Sequence, residues 1–260
     1  MSDSTKSIGV VLWRGLSPFD GAPIVAIATL KTSNRKTGDM VQVWILRDDL
    51  SPLASLHGND NGSICGDCPL QGVFNGERMT GRACYANVGQ APEQIHRSYL
   101  AGRYDDFERD VDEVFLIGRK IRLGAYGDPA MLPIDLVEYL ATIGNGHTGY
   151  SHQLFRMADK DLADQYARFL LVSCHNPAQH REAIKRGWRA FTVVHEKHAE
   201  QNRFPADAVE CPNYTHGVSC TDCQLCQGTS KTAKSVYVIG HGEVAANLLP
   251  LQQRGFAKRD

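Results

Sequence analysis

Short runs of β-branched and aliphatic residues, each closed by glycine, proline or charge, dominate the hydrophobic pattern of this chain. Residues 8–16 (Ile-Gly-Val-Val-Leu-Trp-Arg-Gly-Leu), 24–30 and 40–46 read as strands, with a polar turn at 32–38. Residues 51–61 read as a loop with a helical turn. From 91 to 104 the pattern changes: Ile95, Tyr99 and Leu100 follow a helical spacing behind Pro92. An acidic stretch at 105–114, helical in part, comes next. Strands are then predicted at 121–126, 149–153, 169–173, 190–194 and 235–239, with helices at 133–143, 163–168 and 177–186 between them. Such alternation implies right-handed β–α–β crossovers and a parallel sheet with helices outside. Asp128, His152, Cys174 and His241 fall at predicted strand ends, and barrels gather such groups at one rim. The expected fold is therefore α/β and TIM-barrel-like, closed or partial. With no internal repeat, a single domain over 1–260 is expected, carrying cysteine-rich insertions at about 62–90 and 208–230.

Seven of the eight cysteines lie in those two insertions. The second holds Cys211, Cys220, Cys223 and Cys226, the last three in a Cys-x2-Cys-x2-Cys run. Thiols two residues apart share one side of a tight loop and can converge on a metal. Four soft ligands suit tetrahedral zinc or a [4Fe–4S] cluster, and the triple run with Cys211-Pro212 follows the cubane pattern. The first insertion offers Cys65, Cys68 and Cys84. Three thiolates around a cubane leave one iron open, whereas closed zinc needs a fourth ligand from Cys174, His57 or His96.

Composition removes some function classes. Hydrophobic residues at 42% and charged residues at 22% of 260 are those of an ordinary folded chain. A formal charge of −1 excludes a protein that coats duplex DNA by net charge, while leaving a local basic groove open. Residues 1–7 lack the apolar core of a signal peptide, and the apolar run at 22–30 is too short to span a bilayer. A cytoplasmic protein with no membrane association is expected, and in that compartment Cys-x2-Cys pairs are ligands rather than disulfides.

Beyond the thiols, Asp128 before Pro129 and His241 between two glycines are the catalytic candidates. Asp128 is equally an ordinary turn residue. His152 and His175 are lesser candidates. The loop at 34–38 has two cations but too few glycines for a phosphate loop, and Ser173 lacks a nucleophile-elbow frame.

The stretches Cys65-Gly-Asp-Cys68, Thr80-Gly-Arg-Ala-Cys84-Tyr-Ala-Asn-Val-Gly-Gln90, Arg122-Leu-Gly-Ala-Tyr-Gly-Asp-Pro129, and Cys211-Pro with Cys220-Thr-Asp-Cys223-Gln-Leu-Cys226-Gln-Gly resemble a widespread bacteriophage protein family over about residues 34–242. Its members are labelled in several ways, a replication protein among them. The resemblance implies a viral, cysteine-ligated protein in the cytoplasm of the infected host cell. A looser resemblance is to radical enzymes that cleave S-adenosylmethionine: a barrel, an early three-cysteine cluster and a late auxiliary cluster. Their hallmark is Cys-x3-Cys-x2-Cys, and this chain has Cys-x2-Cys-x15-Cys instead.

The leading expectation is an iron–sulfur protein, a redox or radical-type enzyme acting on an unknown small molecule or redox partner. Cys65, Cys68 and Cys84, with Cys174, hold the reactive cluster, and Cys211, Cys220, Cys223 and Cys226 hold a second centre. The alternative is a zinc-stapled protein that binds nucleic acid in phage replication, based on Trp13, Trp44 and Trp188 among scattered cations.

Overall fold

Strand direction follows from how much chain separates neighbours. The computed structural model describes residues 9–229, 232–241, 243–252 and 256. It opens on β1 (Gly9–Leu16), β2 (Pro23–Thr29) and β3 (Val41–Arg47), an antiparallel meander. The expectation of an all-parallel sheet is corrected here. Residues 17–22 and 30–40 are too few to carry a crossover helix back to the starting edge, so the chain turns directly. A two-stranded hairpin, β4 (Val73–Phe74) with β5 (Met79–Thr80), lies in the first cysteine insertion. In the acidic stretch, β6 (Asp105–Asp106) pairs with β1.

The remaining strands are β7 (Ile121–Tyr126), β8 (His147–Thr148), β9 (Tyr150–Ser151), β10 (Leu171–Cys174), β11 (Ala190–His195), β12 (Ala208–Glu210) and β13 (Ser235–Gly240). They are arranged as β6-β1-β2-β3-β7-β8 and β12-β13-β11-β10-β9, every pair from β3 onward being parallel. Gly149 alone separates β8 from β9, and its carbonyl accepts from Leu171 N at 3.0 Å. Residues 147–151 thus form one extended segment that meets β7 with its first half and β10 with its second. The two sheets follow one another through it. Among the described residues the outer strands β6 and β12 do not pair, so no strand pairing closes a barrel. The chain is a mixed α/β structure with parallel sheets.

Among the described residues, α-helices connect these strands: α1 (Pro52–Gly58), α2 (Gly62–Cys65), α3 (Ala91–Leu100), α4 (Arg109–Asp112), α5 (Ile134–Ile143), α6 (Lys160–Ala167), α7 (Pro177–Lys185), α8 (Glu196–Glu200), α9 (Pro212–His216) and α10 (Cys220–Cys223). Helix α7 begins where Pro177 implies, with the Asn176 side chain accepting from Gln179 N at 2.9 Å. Helix α6 starts before the predicted 163, because Asp159 caps it by accepting from Leu162 N at 3.0 Å. Val137 and Leu140 of α5, Ala167 of α6 and Ala183 of α7 join Leu123, Val172 and Ala190 of the sheet in the main core. Among the described residues, no helix is long and apolar enough to cross a membrane.

Register assigns side chains to the two faces. Gln42 pairs with Arg122 and Arg122 with Thr148, while Tyr150 lies two residues on, so all four share one face. Tyr150 pairs with Leu171, and its ring lies 4.4 Å from that of Phe191, extending this face across β11. The opposite face carries Thr192, whose hydroxyl meets His180 of α7 at 2.9 Å. That face is the helix-covered one.

Gly127 closes β7 with φ +80°, and a Cβ there would stand 2.7 Å from Ile45 Cβ and 2.8 Å from Ile45 O. Since backbone and a β-branched side chain cannot yield, Gly127→Ala is expected to cost about 2–4 kcal/mol in urea unfolding. An unchanged midpoint would show that this strand end is looser than described.

Candidate functional site

The rim formed by the carboxyl ends of β7, β9, β10 and β13 gathers most of the chemistry. Helix α2 delivers Cys65 there, because Asp128 N, just past β7, donates to Ile64 O at 2.7 Å. Gln153, just past β9, donates from Nε2 to Cys65 O at 2.8 Å. The chain then turns back, Cys68 N donating to Cys65 O at 3.3 Å. Cys84 returns from the hairpin with its N–H on Leu70 O at 2.9 Å, two residues past Cys68. Burial lifts the Cys65 thiol well above its ordinary range, and Cys68, Cys84 and Asp128 add to this while Arg82 opposes it. Burial likewise pushes Cys68 up to about 12. The three thiols therefore feel one another's charge.

Asp128 ties the rim together. Its Oδ1 accepts from Ala130 N at 3.0 Å and its Oδ2 from His152 N at 2.8 Å. Burial nevertheless raises its pKa to about 6, against the lowering by those donors and the Ser151 hydroxyl. With both oxygens engaged, the carboxyl holds the ends of β7 and β9 in register. Beyond it, the His152 and His175 rings lie 6.3 Å apart. Burial drives His152 down to about 3, with His175 and Arg156 contributing, and His175 down to about 4, with Arg156 contributing. Both imidazoles are neutral at physiological pH, and His175 Nδ1 is a buried nitrogen with no hydrogen-bond partner among the described residues.

An apolar pocket of about 480 Å³ opens on the same rim. Met131, Leu132 and Tyr166, Trp13 of β1 and Phe19 of the β1–β2 connection line it, together with the polar Asp67, Gln153 and Arg156. Because Asp67 lies between Cys65 and Cys68, part of that polar lining belongs to the three-thiol loop.

The loop that carries Cys220, Cys223 and Cys226 belongs to the amino-terminal ends of the strands, while Cys211 follows β12 with its N–H on Tyr237 O at 2.9 Å. Cys220 N donates to Lys36 O at 2.8 Å, Thr221 N to Thr37 O at 3.1 Å, and Lys120 Nζ, just before β7, to Thr221 O. Thr229 N reaches Ala167 O at 2.8 Å, ahead of β10. Cys226 O accepts from Gly149 N at 3.1 Å. Cys211, Cys220, Cys223 and Cys226 line one space of about 20 Å³, with Thr148 and Tyr150 from the sheet face opposite the helices. Burial pushes Cys226 up to about 12 against a hydrogen bond from Tyr150, and lifts Cys220 against nearby Arg122 and Lys36. The loop at 34–38, considered as a phosphate holder, uses its carbonyls to hold this cysteine loop.

Seven cysteines are thus sorted into a three and a four, all eight being free thiols. Among the described residues, no three Cys, His, Asp or Glu side chains stand where they could jointly hold a metal ion. The thiols share neighbourhoods rather than coordination spheres. Cys174 does not join the three: it pairs with Thr192, so it faces α7, where it is 2% exposed. His57 stacks on Phe74 with ring centres 4.7 Å apart, and His96 is buried beside Tyr99. His241 is exposed at the end of β13, its N–H donating to the Tyr85 hydroxyl at 3.0 Å. It stands beside the residue that follows Cys84. The three tryptophans occupy separate settings: Trp13 lines the pocket, Trp44 Nε1 donates to Thr29 Oγ1, and Trp188 Nε1 donates to Asp164. They form no stacking strip. Sequence reasoning missed Gln153, Arg156 and Tyr150; the signal for the first two was their place at the end of a predicted strand and just past it.

Fold and site together define a mixed α/β protein that presents thiols, neutral imidazoles and an apolar pocket at the carboxyl ends of parallel strands. No family model matches the chain, and no curated protein or solved structure matches it.

The imidazoles make stability depend on acidity. In the unfolded chain they take protons as the pH falls through 6.5, whereas folded His175 and His152 wait until about 4 and about 3. Over that interval the unfolded chain binds more protons, so acidification favours unfolding. Asp128 acts oppositely, holding its proton to about 6 when folded against 3.8 when unfolded, but the two imidazole shifts together are larger. From about pH 7 to about pH 4.5, replacing both histidines by Asn is expected to remove on the order of 2–4 kcal/mol of the stability loss. Urea midpoints at both pH values measure this, and an identical drop in the double variant would contradict the burial argument.

Proposed function

We propose that this chain is a metal–thiolate enzyme of redox type, acting on a small molecule held at the carboxyl-end rim. In this reading Cys65, Cys68 and Cys84 hold an iron–sulfur cluster. One observation supports it: three cysteines from two segments share a neighbourhood next to a pocket of about 480 Å³, at the end of a parallel sheet where α/β folds place their ligands. The donor chemistry fits, since three soft ligands leave one iron without a protein thiolate. When bound, the cluster supplies one-electron chemistry at that iron. The chain's own residues then have definite work. Gln153 fixes the Cys65 carbonyl, Asp128 holds two strand ends in register, and His152 and His175 offer neutral imidazoles beside Arg156.

Cys211, Cys220, Cys223 and Cys226 have a different task in this reading. A space of about 20 Å³ suits a single ion, since one water alone needs roughly 10–15 Å³, and a cubane is several times larger. Four thiolates around one ion are a closed, structural zinc arrangement. The loop they would fasten already bonds to the chain just before β3, β7 and β10. We assign it the role of a staple.

Anaerobic purification followed by iron, sulfide and zinc analysis tests both assignments. The expected result is iron with sulfide and about one zinc per chain. Cys65→Ser is expected to lose the iron and sulfide alone, and Cys223→Ser the zinc alone. Zinc at both centres with no sulfide would overturn the redox reading in favour of a stapled binding protein. Full iron content in the Cys65→Ser variant would remove the first centre from this site.

A further inference from the structure

The rim pocket also carries information about what it admits, an inference that rests on reading the rim as a small-molecule site. Its volume of about 480 Å³ lies within the range of pockets that enclose drug-sized ligands. The wall is mainly apolar, and its aromatic and thioether side chains are Trp13, Phe19, Tyr166, Met131 and Met157. Flat, polarisable surfaces of this kind pack well against rings. Among the described residues a single cation, Arg156, lines the pocket, and it is already committed. Its Nε meets Asp67 Oδ2 at 2.6 Å and its Nη1 donates to His152 O at 2.9 Å. The one acidic group in the lining is therefore spent on the one basic group.

We propose that the pocket selects uncharged molecules with an aromatic body, and that the Arg156–Asp67 ion pair sets this selection. An anion would have to separate Arg156 from Asp67 or sit beside the Asp67 carboxylate. A cation would face the guanidinium in the same way. A neutral ligand leaves the pair intact, burying its ring against the apolar wall and its polar edge against the Gln153 amide. Gln153 donates from Nε2 to Cys65 O, so the ligand's polar edge is brought to the three-thiol loop.

Two fluorescent probes with one ring skeleton test this: N-phenyl-1-naphthylamine, which is neutral, and 1-anilinonaphthalene-8-sulfonate, an anion. Their intrinsic difference in hydrophobicity cancels when the native chain is compared with Asp67→Asn. The native chain is expected to bind the neutral probe more tightly. In Asp67→Asn, with Arg156 released, sulfonate affinity is expected to rise about tenfold while the neutral probe changes less than about twofold. Phe19→Ala removes a half-exposed ring and is expected to weaken both probes about fivefold, placing them in this pocket. Tighter sulfonate binding by the native chain, an unchanged sulfonate affinity in Asp67→Asn, or no binding of either probe would each overturn the proposal. Metal analysis of the same samples separates the two readings. Probe selection without metal leaves this inference standing and removes the cluster, while metal without probe selection does the reverse.

Discussion

The common direction of the parallel strands is the constraint on which the rest depends. Residues 147–151 supply it, pairing with β7 through His147 and Thr148 and with β10 through Tyr150 and Ser151. Once this segment runs parallel to both neighbours, every loop after a strand emerges at one end and every loop before a strand at the other. Cys65, Cys68 and Cys84 are drawn to the first end by backbone bonds to Asp128 and the Gln153 amide. The loop of Cys220, Cys223 and Cys226 is drawn to the second end by the carbonyls of Lys36, Thr37 and Ala167, while Cys211 follows β12 and bonds to Tyr237 O. The six residues of β7, at roughly 3.3 Å each, set the scale of the separation at about 20 Å.

Burial gives both groups of thiols the same energetic problem. A thiolate taken out of water is costly, and Cys65, Cys68, Cys220 and Cys226 are all pushed toward their neutral forms. The surroundings offset part of that cost in advance. Arg82 acts on Cys65, Arg156 on Cys68, and Arg122 with Lys36 on Cys220. Among the described residues, the Nε atoms of Arg82 and Arg122 are buried donors without a partner. A bound cation would supply the remainder and release protons as it did so, coupling metal uptake to acidity and to the stability of the loops.

Much of this was legible in the sequence, for identifiable reasons. The nearness of Cys65 to Cys68, and of Cys220, Cys223 and Cys226 to one another, follows from spacing, whereas Cys84 and Cys211 are brought in by the fold. Strands β7, β9, β10, β11 and β13 and helices α5 and α7 follow from apolar runs with proline at the start and glycine at the stop, while the short β8 and β12 were not seen. The antiparallel start was misread because strand content was weighed without connection length, although 17–22 was visibly too short for a crossover. Cys174 was placed at the rim because it ends a strand. Period-two alternation, counted through its pairing with Thr192, turns it instead to the helix side. The pocket was not legible, since Trp13, Met131, Arg156 and Tyr166 meet only after the sheet has formed.

The claim that the sheet sorts seven thiols into a three and a four is tested most directly by mapping alkylation of each cysteine during a chelator titration of the protein as purified. The account predicts that Cys65, Cys68 and Cys84 lose protection together, and that Cys211, Cys220, Cys223 and Cys226 lose it together at a different chelator concentration. Cys174 is expected to stay protected until the chain unfolds. Protection lost one cysteine at a time, or in sets mixing the two insertions, would contradict it.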